Sequence, residues 1–253
     1  MSKIDSDTSK KTLYLDIGNS TIKGAYKMGT QWMVLSDERL FSALELVNWI
    51  QKHPNSFGKI VLASVRDDVS EAIERELGRQ EIKEVSVSDI PRDLLNYETP
   101  KTLGIDRFLS CYGATNQTNK SVVVIDAGTA TTIDFMDQDD VFHGGVIIPG
   151  LWGFSEVLSQ KAPALPFVEL EIPGKWPGKS TIDSLKWGQA GFYKMGIIGF
   201  LDKYEEEFGQ YDLFITGGDA LEIESMLERE TKVRPFLVFE GIERLVRQLE
   251  SNK

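Results

Sequence analysis

The chain has very little of the chemistry that disulfides and zinc sites require. Among its 253 residues are one cysteine, Cys111, and two histidines, His53 and His143. A single thiol excludes an intramolecular disulfide, and these three residues lack the spacing of a zinc cluster. The sequence therefore predicts a protein of a reducing compartment, which we take to be the cytoplasm.

Long apolar runs and an excess of positive charge are missing as well. No stretch is long and apolar enough to cross a bilayer, and residues 1–12 are polar, without the apolar core of a signal peptide. The formal net charge of −11 opposes non-specific binding to nucleic acid or to an anionic membrane. We therefore expect neither as a partner, and we interpret residues 1–12 as a frayed leader.

What the sequence does contain is enough apolar residues for a sizeable core. Hydrophobic residues make up 41% of the chain, and the 9 prolines are thinly spread. This composition predicts a soluble globular protein with one large domain or two of ordinary size.

A short pattern that occurs twice indicates how the chain is organised. It reads Leu15-Asp16-Ile17-Gly18-Asn19-Ser20-Thr21 near the N-terminus and Ile125-Asp126-Ala127-Gly128-Thr129-Ala130-Thr131 near the middle. Each copy ends an apolar run typical of a buried strand, turns at Asp-x-Gly, and continues into a second β-prone run. Nearly half of the chain separates the copies. The repeat predicts a duplicated domain with a polyanion held between the copies.

The predicted secondary structure repeats in the same way. Each half begins with a three-strand meander and then alternates helices with strands, which predicts α/β domains with mixed sheets flanked by helices. The polar stretch at 116–120 predicts a boundary, so that the domains are 1–118 and 119–253, with both turns at the mouth of a cleft. The strands are predicted at 13–18, 21–27, 31–35, 59–65, 82–87, 121–126, 131–137, 141–148 and 213–216, and helices near 42, 69–77, 104, 151, 181–204, 217 and 238–249.

Both turns contain residue types that suit phosphate and metal binding. A glycine after each aspartate lets backbone amides approach phosphate oxygens closely. The hydroxyls of Ser20, Thr21, Thr129 and Thr131 can donate further hydrogen bonds. The aspartates cannot bind phosphate directly but can hold a cation that bridges to it. For either copy alone an ordinary hairpin turn is the better explanation; two copies in matched meanders favour a ligand.

A second candidate site lies at Gly104-Ile105-Asp106-Arg107, which opens a predicted helix. An Asp beside an Arg at this point can simply stabilise the helix N-terminus. The carboxylate can also accept the proton of an attacking hydroxyl, and the guanidinium can bind a carboxylate or a phosphoryl group through two hydrogen bonds. The residues alone leave both roles open.

Three further features have competing explanations. Tyr97 lies in a proline-bearing loop, where it can simply pack, and Ser180 with Asp183 can cap the helix that begins at Thr181. That helix is apolar nearly all round, which fits either burial or a homodimer interface.

The segment 174–180 imitates a P-loop, but it has three residues between its glycines instead of four, and prolines at 173 and 177. We reject it as the nucleotide site.

Five motifs together resemble the type III pantothenate kinase family, in order and in approximate spacing. They are Asp16-x-Gly18-Asn19-Ser20, Gly104-Ile105-Asp106-Arg107, Asp126-x-Gly128-Thr129-Ala130, Gly144-Gly145-x-Ile147-x-Pro149-Gly150 and Thr216-Gly217-Gly218. The resemblance implies the fold of the actin, sugar-kinase and Hsp70 ATPase superfamily, with duplicated ribonuclease H-like domains. It also implies direct transfer of the γ-phosphoryl group of ATP to pantothenate, which gives 4′-phosphopantothenate in the first step of coenzyme A biosynthesis.

The resemblance further implies roles for individual residues. Asp106 would be the proton acceptor, and Asp126 would hold a monovalent cation, K⁺ or NH₄⁺, while Mg²⁺ offsets phosphate charge. The family is dimeric, which implies a homodimer with Thr181 reaching the site from the partner subunit. ATP would contact Asp16, Ile17, Gly18, Asn19, Ser20, Thr21, Ile22, Lys23 and Thr129, and pantothenate would contact Tyr97, Gly104, Ile105, Asp106, Arg107 and Thr181.

The chain departs from the family pattern in places, and two other functions stay open. Ser20 replaces the usual threonine, and Thr21 stands where asparagine is common. Another small-molecule kinase or ATPase of the superfamily would not be expected to keep Tyr97, residues 104–107 and Thr181 together. A catalytically weak relative with a transcription-accessory role is opposed by the intact Asp106 and the acidic surface.

Overall fold

The computed structural model describes residues 11–35, 40, 42–52, 56–78 and 81–251. Most of the expected leader at 1–12 therefore lies outside the described residues, as does His53. Lys11 and Thr12, the last two residues of that expected leader, are paired in a strand. The prediction of a frayed segment is therefore wrong for these two.

The structure follows the predicted alternation of strands and helices closely. The strands are β1 (Lys11–Ile17), β2 (Ile22–Met28), β3 (Gln31–Val34), β4 (Phe57–Ser64), β5 (Glu81–Val85), β6 (Val122–Ala127), β7 (Ala130–Met136), β8 (Phe142–Pro149), β9 (Asp212–Gly217) and β10 (Lys232–Val233). The helices are α1 (Ala43–Lys52), α2 (Asp67–Leu77), α3 (Ile105–Thr115), α4 (Gly153–Lys161), α5 (Thr181–Lys186), α6 (Phe192–Phe208), α7 (Ala220–Met226) and α8 (Leu237–Ser251). The helix predicted at 181–204 is divided by a π-helical turn, Trp187–Gly191, between α5 and α6.

Two five-stranded sheets have the same topology. Their orders are β3-β2-β1-β4-β5 and β8-β7-β6-β9-β10. In each sheet the first three strands form an antiparallel meander, and the other two are added in parallel to the first strand. The second sheet thus repeats the first strand for strand, which confirms the predicted duplication.

The chain forms two compact units around these sheets. Unit 1 comprises Met1–Pro91, Thr99–Leu109 and Val238–Lys253, and unit 2 comprises Arg92–Glu98 and Ser110–Leu237. The predicted boundary at residue 118 falls between α3 and β6, but α8 packs in unit 1, although it follows every strand of the second sheet. A sequence pattern shows that α8 is amphipathic without showing which sheet its apolar face covers.

In unit 1 the sheet is covered on both faces. Leu13, Leu15 and Ile17 of β1 lie in a core cluster that includes residues of α1 and α2. On the opposite face the Tyr14 ring packs edge-on against Trp32, with centroids 5.2 Å apart, and Trp32 lies 6.0 Å from Phe239 of α8.

In unit 2 one face of the sheet packs against α6 and α7. The cluster contains the alternate residues Val123, Ile125 and Ala127 of β6, together with Ile133 and Phe135 of β7 and residues of both helices. Side chains between these positions, Asp126 among them, therefore project from the other face of the sheet. None of the helices in the described part of the chain could cross a membrane.

Candidate functional site

The first Asp-x-Gly turn joins β1 to β2 in unit 1. Asp16 lies near the end of β1, between Lys23 of β2 and Ala63 of β4 in the ladder, and is only 7% exposed. The N–H of Gly18 donates to the carbonyl oxygen of Thr21 at 3.0 Å, which closes the turn. Asn19 and Ser20 are exposed at its tip, where their polar groups are accessible to an anion.

Two residues of the expected ATP contact set are core residues. The side chains of Ile17 and Ile22 are 1% and 3% exposed and belong to the hydrophobic cluster of unit 1. The N–H of Ile22 also donates to the carbonyl oxygen of Leu40 at 2.7 Å. These side chains hold the hairpin in place. Any contact that Ile17 or Ile22 makes with phosphate would therefore come from backbone atoms other than the N–H of Ile22.

The second Asp-x-Gly turn has a different geometry. Asp126 lies near the end of β6, opposite Thr132 of β7 and Thr216 of β9. The N–H of Gly128 donates to the carbonyl oxygen of Ala130 at 3.1 Å, so this turn is one residue shorter than the first. Thr129 is exposed at its tip. The two copies of the sequence pattern therefore form unequal loops.

Two other glycine motifs meet the second turn. A Cβ on Gly150 would collide with the carbonyl oxygen of Gly128, and the N–H of Gly150 donates to the carbonyl oxygen of Thr129 at 3.0 Å. Gly217 has a φ of 96°, and a Cβ there would collide with the backbone of Ala127. Unit 2 therefore brings three motifs together at the end of β6, and in two of them a glycine, Gly150 or Gly217, stands where no side chain fits.

The hydroxyl of Thr132 has an unusual environment beside Asp126. It is buried and has no hydrogen-bond partner among the described residues. An unsatisfied buried hydroxyl costs about 1–3 kcal/mol, so its persistence at a candidate site suggests a ligand that would satisfy it. Sequence reasoning missed this residue, although strand alternation places Thr132 on the same face of the sheet as Asp126.

Thr131 points the other way, and its predicted role as a phosphate donor is not supported. Its hydroxyl lies 2.5 Å from the hydroxyl of Tyr193 in the interior of unit 2. Burial, opposed by this hydrogen bond, raises the pKa of Tyr193 to about 12. Both hydroxyls therefore stay protonated at neutral pH and serve the core.

Asp126 and the residues opposite it in the sheet carry oxygen atoms that could bind a cation. One carboxylate and the neutral hydroxyls of Thr132 and Thr216 offer oxygen ligands, which hard cations prefer. Within the described ranges no group of three or more histidines, cysteines or acidic residues could hold a metal.

The candidate base lies in the first turn of α3, in unit 1. Oδ1 of Asp106 accepts a hydrogen bond from the backbone N–H of Arg107 at 2.9 Å. The carboxylate lies over Gly104, where a Cβ would be 2.6 Å from Oδ1. Ile105 and Arg107 are 3% and 7% exposed, whereas Asp106 is only partly buried. The helix start thus fixes the carboxylate between two buried neighbours.

Tyr97 packs beside the glycine-rich strand β8 in unit 2. The preceding residue, Asn96, donates its N–H to the carbonyl oxygen of Phe142 at 3.0 Å. The Tyr97 ring lies 6.0 Å from that of Phe142, and a Cβ on Gly144 would be 3.0 Å from its Cε2. Gly144 has a φ of 84°, which also favours glycine. The expected packing role of Tyr97 is therefore present, and it orients the ring.

Thr181 begins α5 in unit 2 and is exposed. Ser180 caps this helix, since its Oγ accepts from the N–H of Asp183 at 3.1 Å. The described chain between α4 and α5 contains no strand that could lead into a P-loop. This geometry agrees with the rejection of residues 174–180 as the nucleotide site.

The fold and these turns define a class of protein before any family is considered. A solved structure from Campylobacter jejuni described as a Baf family transcriptional activator is similar, with 22% identity, a TM-score of 0.65, and coverage of 94% of this chain and 99% of that one. A Sinorhizobium meliloti protein described as a 2-dehydro-3-deoxygalactonokinase has 12% identity, a TM-score of 0.59, and coverage of 94% and 99%. The chain thus has the duplicated ribonuclease H-like fold of actin-like kinases and ATPases.

Sequence comparison identifies the family within this class. A model of the type III pantothenate kinase family matches residues 12–204. A type III pantothenate kinase from Flavobacterium johnsoniae is 35% identical over 82% of this chain and 86% of its own length. The chain belongs to the type III pantothenate kinase family.

Proposed function

We propose that this protein transfers the γ-phosphoryl group of ATP to the primary hydroxyl of pantothenate. Family membership supports this activity, and the observation that carries it is the carboxylate of Asp106, held at the start of α3 between Gly104 and the buried Arg107. A kinase that acts on an alcohol needs a carboxylate of this kind to accept the hydroxyl proton.

The proposed reaction is a single displacement. Asp106 accepts the proton of the pantothenate hydroxyl as its oxygen attacks the γ-phosphorus. The bond from that phosphorus to the β-γ bridging oxygen breaks, and ADP leaves with the electron pair. Arg107 would bind the carboxylate of pantothenate or the transferred group, with Tyr97, Gly104, Ile105 and Thr181 as further pantothenate contacts. No covalent enzyme intermediate is required.

The two Asp-x-Gly turns would bind ATP. The turn from Asp16 to Lys23 would contact the ATP phosphates, and Thr129 would contact the nucleotide. Mg²⁺ bound to ATP would offset phosphate charge, and Asp16 would hold this ion or its water shell. Asp126 and Thr132 would hold K⁺ or NH₄⁺. The oxygen ligands and the buried, unsatisfied hydroxyl fit such an ion.

A homodimer is the second part of this proposal. Ile182, Phe192 and Met195, on α5 and α6, are 42%, 61% and 58% exposed. Phe192 and Met195, three positions apart on α6, lie on one face of that helix, and an exposed apolar face of this kind supports an interface. A second copy of the chain that covers this surface would bring Thr181 of the partner subunit toward pantothenate. The single cysteine supports a cytoplasmic location.

The transcription-accessory alternative has less support. The C. jejuni structure establishes a shared fold only, and the net charge of −11 opposes contact with DNA. ADP release measured with and without pantothenate separates the two functions. Release that depends on pantothenate supports the kinase, and the same slow release under both conditions would contradict it.

A further inference from the structure

We propose that His143 is a positioning residue that fixes Tyr97 for pantothenate through a hydrogen bond to Asn96. This inference rests on the proposed function, because it assigns His143 to the same substrate site. His143 lies in β8, between Phe142 and Gly144, and both of these neighbours contact the segment that contains Tyr97.

Both ring nitrogens of His143 have partners in unit 2. Nε2 lies 2.7 Å from Oδ2 of Asp137, and Nδ1 lies 3.1 Å from Nδ2 of Asn96. A carboxylate can only accept, so Nε2 carries a proton and donates it. Nδ2 of the Asn96 amide is a donor, so Nδ1 of the ring accepts from it. This chain of bonds selects one tautomer of the histidine.

Asp137 is itself fixed by the hairpin between β7 and β8. One of its oxygens accepts from the N–H groups of Asp139 and Val141, at 2.9 and 3.0 Å. Partial burial opposes ionisation, but the hydrogen bonds from His143 and from these two N–H groups outweigh it and lower the pKa of Asp137. The carboxylate is therefore an ionised, immobile anchor for the imidazole.

Aromatic rings restrict the histidine further. Its ring lies 5.6 Å from that of Phe135 and 5.7 Å from that of Phe208. These two rings stack on each other with centroids 4.2 Å apart. The hydrogen bond to Asp137 thus determines the in-plane direction of the imidazole, and the rings of Phe135 and Phe208 determine its tilt. The bond to Asn96 is made by a ring that is already oriented.

Asn96 transmits this order to Tyr97. Its backbone N–H is bonded to Phe142 and its side chain to His143, while Leu95 forms an isolated bridge with Phe142. These bonds hold the segment that precedes Tyr97 against β8. A ring that is already oriented does not lose conformational freedom when substrate binds, and this strengthens binding.

Two variants separate the two bonds of His143. In His143→Gln the side-chain amide can donate to Asp137 as Nε2 does, but Asn96 loses its acceptor. In His143→Asn the side-chain oxygen can accept from Asn96 as Nδ1 does. We expect His143→Gln to raise the KM for pantothenate about tenfold, roughly the cost of one lost hydrogen bond. The kcat and the KM for ATP should change less than about twofold, and His143→Asn should retain most of the wild-type KM for pantothenate. Equal effects of the two variants on all three parameters would overturn the proposal.

A double-mutant cycle distinguishes positioning from a general loss of structure. If His143 acts through Tyr97, His143→Gln should add almost nothing to the KM for pantothenate in a Tyr97→Ala background. Effects that multiply would show that the two residues act independently, and this too would overturn the proposal.

A readout that needs no activity keeps this inference separate from the proposed function. In protein labelled with 3-fluorotyrosine, the ¹⁹F resonance lost in Tyr97→Phe belongs to Tyr97. We expect this resonance to shift and broaden in His143→Gln and to keep its wild-type position in His143→Asn. An unchanged resonance in both variants overturns the positioning role, whether or not wild type phosphorylates pantothenate. A wild-type protein without pantothenate-dependent turnover contradicts the proposed function alone.

Discussion

The carboxylate of Asp106 occupies the space that a side chain on Gly104 would need. A Cβ on Gly104 would lie 2.6 Å from Oδ1 of Asp106, and the same oxygen accepts from the N–H of Arg107 at 2.9 Å. The glycine is therefore required by the position of the proposed base and not by a left-handed backbone conformation. A small residue two positions before the base sets where the base lies.

Gly104→Ala should lower kcat without unfolding the protein. The added methyl must displace the carboxylate of Asp106, which is the movable end of a side chain, so the backbone can remain. We expect a fall of at least about tenfold in kcat, because a small displacement of a reacting group is costly, and a melting temperature close to that of wild type. Gly174→Ala is the matched control, since no atom lies within 4 Å of a Cβ built there. A fully active Gly104→Ala protein would show that the carboxylate need not lie where the structure has it.

Thr132→Val should weaken activation by K⁺ while leaving the fold intact. It removes the buried hydroxyl that has no partner among the described residues, so stability should stay within about 1 kcal/mol of wild type or increase. The half-saturating K⁺ concentration for kinase activity should rise several-fold. Thr131→Val is the control, because it breaks the bond to Tyr193 and should cost about 1 kcal/mol without changing the K⁺ requirement. The reverse pattern would place the ion elsewhere.

Gly241→Ala should destabilise unit 1. The backbone of α8 lies so close to α3 at this point that a Cβ on Gly241 would collide with the carbonyl oxygen of Leu109. We expect a loss of about 2 kcal/mol in the free energy of unfolding, measured by urea denaturation, because rigid backbone must move. Arg247→Ala, on the same helix, removes a largely exposed side chain and its ion pair with Glu243, and should cost less than about 1 kcal/mol. Equal stabilities would contradict the close packing.

The ion pairs of Asp212 should make part of the stability of unit 2 depend on acid pH. Hydrogen bonds from Lys232, then from Thr118 and Lys120, lower the pKa of Asp212 from 3.8 to about 2. A carboxylate with a lowered pKa stabilises the folded state above its ordinary pKa, and this contribution is lost as pH falls toward the folded value.

Urea midpoints of wild type and Asp212→Asn should therefore differ at pH 6 and converge between about pH 4 and pH 2. The exposed Asp93 supplies the control substitution Asp93→Asn. A difference between wild type and Asp212→Asn that stays constant across this window would show that ionisation of Asp212 does not stabilise the fold.

The mixed composition of the two sheets and the two turns could be predicted from local patterns. Apolar runs broken at Asp16-x-Gly18 and Asp126-x-Gly128 indicate strand ends directly, and a meander followed by alternation restricts the sheet order to few possibilities. The position of Asp106 at a helix start could also be predicted from the local motif that begins at Gly104.

Other features depend on contacts between distant parts of the chain. The packing of α8 in unit 1, the pairing of Asn96 with His143 and the seat of Tyr97 on Gly144 join residues far apart in sequence, and no local pattern specifies them. Thr131 and Thr132 are neighbours of similar chemistry, and only the register of β7 decides that one serves the core and the other faces the side of Asp126.

The central claim is that Asp106 accepts the proton in phosphoryl transfer from ATP to pantothenate. Its most direct test is the rate of ADP release with saturating ATP, Mg²⁺ and K⁺, with and without pantothenate, for wild type and Asp106→Asn. We predict pantothenate-dependent release in wild type and a fall of about 10²–10⁴-fold in kcat for the variant, with ATP binding retained. Turnover by Asp106→Asn at the wild-type rate would contradict the account.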